Sequence, residues 1–157
     1  GVAMFSKGKA IEKFGFDLPQ PKWMLATQRG AAAMVIEVDG KQMLVISTHL
    51  GLGGLQEIQT EVMELLNVSE KYGLPTLIGG DFNISYFELS YGVKEFLHKF
   101  ESVNQELKKE IKTFQSDFPG SQIDFIFFTR GDFKIMDAYT VNSFASDHLP
   151  LISLIEF

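Results

Sequence analysis

Six polar residues stand within or beside apolar, strand-like segments, at positions that strand packing does not require. They are His49, Asp81, Asn83, Asp124, Asp147 and His148. Three of them, Asp81, Asn83 and Asp147, offer the oxygen ligands that Mg²⁺ or Mn²⁺ prefers. His148 follows a candidate metal-binding carboxylate and is therefore suited to deprotonating a water molecule. Phosphoryl transfer depends on positioning, charge neutralisation and an oriented nucleophile, and this set of side chains offers all three.

Taken one at a time, these positions also have structural explanations. Asp81 can form an Asx-turn after Gly79-Gly80, the Asp-His pair before the last strand can cap a turn, and a single histidine after a strand is more often structural. Asp124 is harder to explain, because a carboxylate inside an aromatic strand needs a partner. We therefore predict that the six side chains line one cleft, with Asp124 within hydrogen-bond reach of His148 and fixing its tautomer. In that cleft His49 could bond a phosphate oxygen or protonate a leaving group.

The segments between these residues predict a mixed α/β sheet covered by helices. Asp39-Gly40 between two apolar runs predicts a hairpin. Apolar residues at helical spacing from Leu55 to Leu66, ended by Gly73, predict a helix inside a βαβ crossover over residues 43 to 78. Other strands are predicted at Val2 to Ser6, Leu74 to Ile78, Ile123 to Phe128, Lys134 to Val141 and Leu149 to Phe157, a loop at Lys7 to Pro21, and a helix around Val93 to Phe100, with Leu107 and Ile111 as candidates for another.

Composition limits the class of protein. The chain has 157 residues, of which 45% are hydrophobic, so residues 1–157 are predicted to form one domain with a substantial core. The net charge of −6 argues against sequence-blind adhesion to nucleic acid but leaves a metal-dependent nuclease open. The absence of cysteine excludes disulfides and thiolate metal sites and leaves the compartment open, the cytoplasm being slightly favoured. No apolar run approaches the roughly 18 residues of a transmembrane helix.

The polar positions and their neighbours resemble the endonuclease/exonuclease/phosphatase superfamily, whose members include deoxyribonucleases, abasic-site endonucleases and neutral sphingomyelinases. The stretches that carry the resemblance are GVAMFSK (1–7), RGAAAMVIEVDGKQMLVISTHL (29–50), IGGDFN (78–83), QIDFIFF (122–128) and SDHLP (146–150). GDFN alone is a modest signal, whereas the ordered set with SDHLP is specific. The resemblance implies a four-layered α/β sandwich of two packed sheets, incomplete on its amino-terminal side.

The resemblance also implies a role for each matching residue. His148 would be the catalytic base and Asp124 its partner. Asp81 and Asn83 would bind and orient the phosphate and the attacking water, and His49 would contact the scissile phosphate. The carboxylate before His148 in SDHLP, at position 147, would be associated with the metal.

Two departures from the family pattern carry expectations of their own. A strand with a metal-binding Glu in a QE pair usually precedes the first matching segment, and it is not found here; an Arg usually precedes Gln59 by three residues, where this chain has Gln56. We therefore expect a carboxy-terminal portion that alone binds Mg²⁺ weakly and turns over slowly. We also expect self-association, or a missing amino-terminal half supplied by another chain, because a sheet face is left exposed. That face is predicted to contain Met34, Ile36, Leu44 and Ile46.

The sequence thus predicts a Mg²⁺-dependent phosphoesterase that cleaves phosphodiesters, with phosphomonoesters as the other substrate class. A DNA-repair or degradative nuclease is one alternative. A non-catalytic fragment or a divergent domain that binds partners or metal without turnover is the other.

Overall fold

The structure is a computed structural model that describes residues 1–20 and 27–157. Pro21, the last residue of the predicted first loop, lies outside the described residues. The strands are β1 (Lys9–Asp17), β2 (Gly30–Val38), β3 (Lys41–His49), β4 (Thr76–Asp81), β5 (Phe100–Ser102), β6 (Asp124–Thr129), β7 (Lys134–Thr140) and β8 (Leu151–Glu156), and the helices are α1 (Leu55–Tyr72), α2 (Tyr86–Gly92), α3 (Lys94–Lys99) and α4 (Val103–Glu106).

Six of the strands form one mixed sheet in the order β1-β2-β3-β4-β6-β5. β2 and β3 are antiparallel and joined by a tight turn in which Asp39 and Gly40 have positive φ angles of 51° and 79°, so the predicted hairpin is confirmed. β3 and β4 are parallel and connected by α1, which confirms the predicted βαβ crossover. β4 and β6 run antiparallel, so the edge of the sheet where β3 and β4 end is the edge where β6 begins.

Helix α1 covers one face of the large sheet. Its apolar residues recur at helical spacing, and Ile58, Val62 and Leu65 are buried in the same core as Leu44 and Ile46 of β3. The helix ends at Gly73, whose φ of 60° is a left-handed conformation that glycine adopts without steric cost. This packing fixes the position of the loop between β3 and α1, which lies beside the end of β3.

A separate sheet of β7 and β8 packs against the other face, so the described residues contain a helical layer, a large sheet and a small sheet. The contact includes Leu77 and Ile126 from the large sheet and Leu151 from β8. A cavity of about 530 Å³ remains between the two sheets, with Asp124 among its lining residues. No helix in the described part of the chain is both long enough and apolar enough to cross a membrane.

Two of the predicted elements at the start of the chain, a strand and a loop, were wrong. Residues 2 to 6 are not a strand, and most of the predicted loop after them is the edge strand β1. An edge strand pairs on one side only, so β1 tolerates the charged residues Glu12 and Lys13 that made it resemble a loop. Its half-buried Phe14 and Phe16 pack against the core and show the alternation of a strand.

Three further predictions need correction. The predicted sheet face was wrong: Leu44 and Ile46 pair with Val35 and Ala33, so they point towards α1, whereas Met34 and Ile36 point to the opposite side. The helix around residues 93 to 100 is α3, which follows a helix that was not predicted, α2. Residues 107 and 111 lie beyond the four-residue helix α4.

Candidate active site

Three of the predicted site residues lie side by side at one edge of the large sheet. The strand register pairs His49 of β3 with Asp81 of β4, and Asp81 with Asp124 of β6. Residues paired across neighbouring strands project to the same face, so the three side chains form a short row. Asp81 is at its centre, with an Oδ2 atom 3.5 Å from His49 Nε2.

His148 closes this row from outside the sheet. Its Nδ1 atom lies 2.8 Å from Asp124 Oδ2, which confirms the predicted hydrogen bond between the two residues. Its Nε2 atom is 3.9 Å from Asp81 Oδ2. With the proton of a neutral ring on Nδ1 and donated to Asp124, the lone pair of Nε2 is left to accept a proton beside Asp81.

The segment that carries His148 is held by the loop before β6. The N–H of Leu149 donates to the carbonyl of Thr113 (2.7 Å), and the N–H of Ser116 donates to the carbonyl of Asp147 (2.8 Å). The ring of Phe114 packs on the His148 imidazole at 4.9 Å between centroids. These contacts limit how far the imidazole can turn away from Asp124.

Asn83 is placed beside the row by a tight turn at the end of β4. Its N–H donates to Asp81 Oδ1 at 2.8 Å, and its φ of 52° is left-handed, as in the Asx-turn that the residue types permit. The fully buried Phe82 anchors the turn in the core. The side-chain Nδ2 of Asn83 donates to the carbonyl of Leu50 (2.9 Å), so one short bond holds the backbone of this residue and another holds its side-chain amide. The Asx-turn considered from the sequence is therefore present, and the functional role of Asp81 and Asn83 stays a prediction.

Electrostatics differ between the two histidines. Burial lowers the pKa of His49 and outweighs the opposing effect of Asp81, so the neutral form of His49 is favoured. Burial also acts to lower the pKa of His148, but the hydrogen bond and charge of Asp124, with the charges of Asp81 and Asp147, raise it above its ordinary value. Burial is likewise the main cause of the raised pKa of Asp81. The row therefore contains one neutral histidine and one of increased basicity.

Ligand atoms of Asp81, Asp124 and His148 lie within 4.8 Å of one another, close enough to surround a metal ion. This group differs from the predicted metal set of Asp81, Asn83 and Asp147. One oxygen of each carboxylate is engaged at 2.8 Å, Oδ2 of Asp124 by His148 and Oδ1 of Asp81 by the Asn83 N–H, and Oδ2 of Asp81 faces both His49 and His148. Asp147 has an exposed side chain and accepts a bond from the Ser146 hydroxyl, so its role as a ligand stays a prediction.

Comparison with solved structures identifies the fold. A family protein from Bacteroides thetaiotaomicron described as endonuclease/exonuclease/phosphatase superposes with a TM-score of 0.77 at 20% identity, over 94% of this chain and 65% of its own. The chain has the endonuclease/exonuclease/phosphatase fold. A mannosyl-6-phosphatase from the same organism matches with a TM-score of 0.74 and 21% identity, over 95% of this chain and 67% of its own.

The endonuclease/exonuclease/phosphatase fold is also found in TDP2 from D. rerio, solved with a single-strand DNA product, which gives a TM-score of 0.71 at 17% identity over 95% of this chain and 68% of its own. The present chain spans about two thirds of the length of the solved structures it matches. No family model matches the sequence, and no curated protein matches it.

Thr113 supports the site on this fold and was not singled out from the sequence. The Thr113 hydroxyl accepts from the N–H groups of Ile123 and Asp124, at 3.4 and 3.3 Å, and so fixes the start of β6. A single threonine between Lys112 and Phe114, in a mixed polar and apolar segment, gives no sequence signal for that role. Gln56, which replaces the Arg of the family pattern, is exposed, whereas Gln59 donates to the carbonyl of Gly92 and ties α1 to α2.

Proposed function

We propose that this chain carries the catalytic residues of a Mg²⁺-dependent phosphoesterase that hydrolyses phosphodiesters. The observation that supports this most is the His148–Asp124 pair at 2.8 Å, with the free ring nitrogen of His148 directed to the side of Asp81. A histidine that is oriented by one carboxylate and adjoins a second is the arrangement expected of a general base at an anion-binding site.

In this proposal His148 Nε2 takes a proton from the attacking water, and Asp124 stabilises the imidazolium that forms. Asn83 presents its side chain, held by Leu50, to a phosphate oxygen. His49, neutral and 41% exposed on its side chain, contacts the scissile phosphate from the far end of the row. A cleft of about 520 Å³ opens beside His49 along the ends of β1 and β2 and gives the rest of a substrate room to lie.

The donor set suits a hard divalent cation, because the carboxylate of Asp81 lies next to that of Asp124 and only 14% of the Asp81 side chain is exposed. Asp81, Asn83 and Asp147 are the residues proposed to hold it. When bound, Mg²⁺ would neutralise phosphate charge and lower the pKa of a coordinated water.

Hydrolysis of bis(p-nitrophenyl) phosphate by the purified chain, compared with p-nitrophenyl phosphate, tests this proposal. We expect release of nitrophenol from the diester that requires Mg²⁺ and stops with EDTA. Preference for the monoester would transfer the proposal to a phosphatase. Absent hydrolysis of both esters would favour the binding domain without turnover, and hydrolysis that does not require Mg²⁺ would contradict the proposed metal dependence.

A nuclease is the second candidate, and the solved TDP2 structure with a single-strand DNA product favours it as a substrate class within this fold. The net charge of −6 opposes it, because phosphate-rich polymers bind best to basic surfaces. Adding fluorescent single-stranded DNA to the same assay separates the two: cleavage of DNA at a higher kcat/KM than the small diester would select the nuclease.

We also expect self-association, and the structure directs the test to the small sheet. Tyr139 and Leu154 lie on the face of β7 and β8 that points away from the large sheet, 37% and 52% exposed. Sedimentation velocity over a concentration series should show dimers or larger species that Leu154→Lys shifts towards monomer. Phe87→Lys, which alters a still more exposed apolar residue on α2, is the control and should change nothing. A wild-type chain that stays monomeric at all concentrations would contradict the expectation.

A further inference from the structure

Two glutamates in the first turns of α1 are buried, although the proposed catalytic site does not include them. Glu57 and Glu61 are each 1% exposed. They are four residues apart and so lie on the same face of the helix, next to the apolar residues that enter the core. A buried carboxylate is costly unless strong hydrogen bonds compensate, so the partners of these two residues indicate their role.

Both carboxylates accept hydrogen bonds from the backbone of the loop between β3 and α1, residues 50–54. The N–H of Gly51 donates to Glu61 Oε2 at 2.8 Å, and the N–H of Gly53 donates to Glu57 Oε2 at 2.6 Å. A Cβ atom on Gly51 would overlap the Glu57 carboxylate, so the loop backbone lies directly on the glutamates. Bonds from N–H groups to ionised carboxylates are among the stronger hydrogen bonds in proteins.

The same loop begins at the residue that orients Asn83. Leu50 is fully buried, its N–H donates to the carbonyl of Asp81 at 2.9 Å, and its own carbonyl accepts from Asn83 Nδ2 at 2.9 Å. A continuous set of short bonds therefore runs from Glu61 through Gly51 and Leu50 to the Asn83 amide. Any shift of Gly51 would move the Leu50 carbonyl and with it the amide.

The negative charge of this buried pair is reduced, because the pKa of Glu61 is raised. Burial, followed by the charge of Glu57, raises the pKa of Glu61 to about 7, while the Gly51 N–H and the charge of Arg29 act in the opposite direction. At neutral pH the Glu61 carboxyl is therefore only partly ionised, which lowers the cost of keeping it inside the protein.

We propose that Glu57 and Glu61 are positioning residues, which hold the 50–54 loop so that the Leu50 carbonyl directs the Asn83 side chain towards the substrate phosphate. The catalytic part of this inference rests on the proposed phosphodiesterase function, whereas the positioning of the loop and of Asn83 does not.

Two substitutions at Glu61 separate the hydrogen bond from the charge. Glu61→Leu removes the acceptor for Gly51, and Glu61→Gln keeps an acceptor oxygen without the charge. In Glu61→Leu we expect amide hydrogen exchange at Gly51 to accelerate about tenfold or more and the Asn83 side-chain amide resonance to shift. We expect kcat for bis(p-nitrophenyl) phosphate with Mg²⁺ to fall about 10- to 100-fold, with little change in KM. Glu61→Gln should restore most of each quantity.

The double variant Glu61→Leu/Asn83→Ala supplies the sharper comparison. If Glu61 acts through Asn83, adding Glu61→Leu to Asn83→Ala should not lower kcat further. Multiplicative losses, or an unshifted Asn83 resonance in folded Glu61→Leu, would overturn the proposal. Glu57→Leu, which removes the bond to Gly53, gives the same comparison if Glu61→Leu does not fold.

Glu70→Leu and Glu70→Gln are matched controls, because Glu70 is an exposed glutamate in the same helix. Both should leave exchange at Gly51 and kcat unchanged. If no variant or wild-type form hydrolyses the diester, the phosphodiesterase proposal fails while the exchange and resonance data still decide whether the glutamates position Asn83.

Discussion

Replacing His148 with alanine should lower Mg²⁺-dependent hydrolysis of a phosphodiester by about 10²- to 10⁴-fold, because the substitution removes the proposed general base. The imidazole is on the rim of the site, with 25% of its side chain exposed, so the free energy of unfolding should change little. The loss should therefore appear in kcat while thermal denaturation stays close to that of the wild type.

The matched control for this prediction is His98→Ala, because His98 is an exposed histidine on α3, away from the row of site residues. It should retain full activity. Equal losses in the two variants, or a His148→Ala protein that keeps the wild-type rate, would remove His148 from its proposed role.

The acid side of the pH–rate profile gives a second measure of the same pair. His148 must be deprotonated to act as a base, so the rate should fall as the pH decreases through its pKa. The hydrogen bond and charge of Asp124 help to raise that pKa, and Asp124→Asn removes the charge. We expect Asp124→Asn to shift the acid limb to lower pH and also to reduce the maximum rate, since the imidazolium loses its stabilising carboxylate.

Gly80→Ala should cause the largest loss of stability among the changes considered. Gly80 has a φ of 152° and pairs with Thr48, and a Cβ atom there would overlap the Thr48 carbonyl oxygen and lie 2.8 Å from its carbonyl carbon. Because both groups are backbone, relief requires β3 and β4 to separate just before His49 and Asp81. We expect a destabilisation of about 3 kcal/mol or more.

Thermal denaturation of Gly80→Ala beside Gly79→Ala tests this expectation. A Cβ atom on the neighbouring Gly79 would lie 3.9 Å from its nearest atoms, so alanine fits there at little cost. At about 3 kcal/mol the melting temperature of Gly80→Ala should fall by roughly 6 to 12 °C, whereas that of Gly79→Ala should stay near the wild type. Equal melting temperatures would show that the two strands can adjust at Gly80.

The gathering of the site residues could be predicted from the sequence because it depends on strong signals. The buried runs before His49 and Asp81 are read as parallel strands joined by a helix, and parallel strands end at the same edge of a sheet. The partner of Asp124 followed from the cost of an unpaired carboxylate in an aromatic strand. Both inferences use local sequence patterns, and the burial of the sheet determines which structure each pattern forms.

Features that are stabilised by contacts with another part of the fold could not be predicted in this way. β1 was missed because an edge strand needs little apolar surface, and its stability comes from pairing with β2. The burial of Glu57 and Glu61 was missed because a helical pattern places charged residues outside, and only the loop above them shows why they are inside. By contrast, α2 was missed although its signal was present, since Ser85 and Glu88 form a capping box at its start.

The register that sets His49, Asp81 and Asp124 side by side has a consequence for how this protein can change over evolution. Adding or deleting one residue within β4 would reverse the facing of every side chain beyond that point, and would turn Asp81 away from both neighbours. Length variation should therefore accumulate in the connections, such as the segment of residues 107 to 123 between α4 and β6, and be purged from the strands. The spacing of residues within β3, β4 and β6 should therefore be kept more strictly in evolution than the identity of their apolar residues.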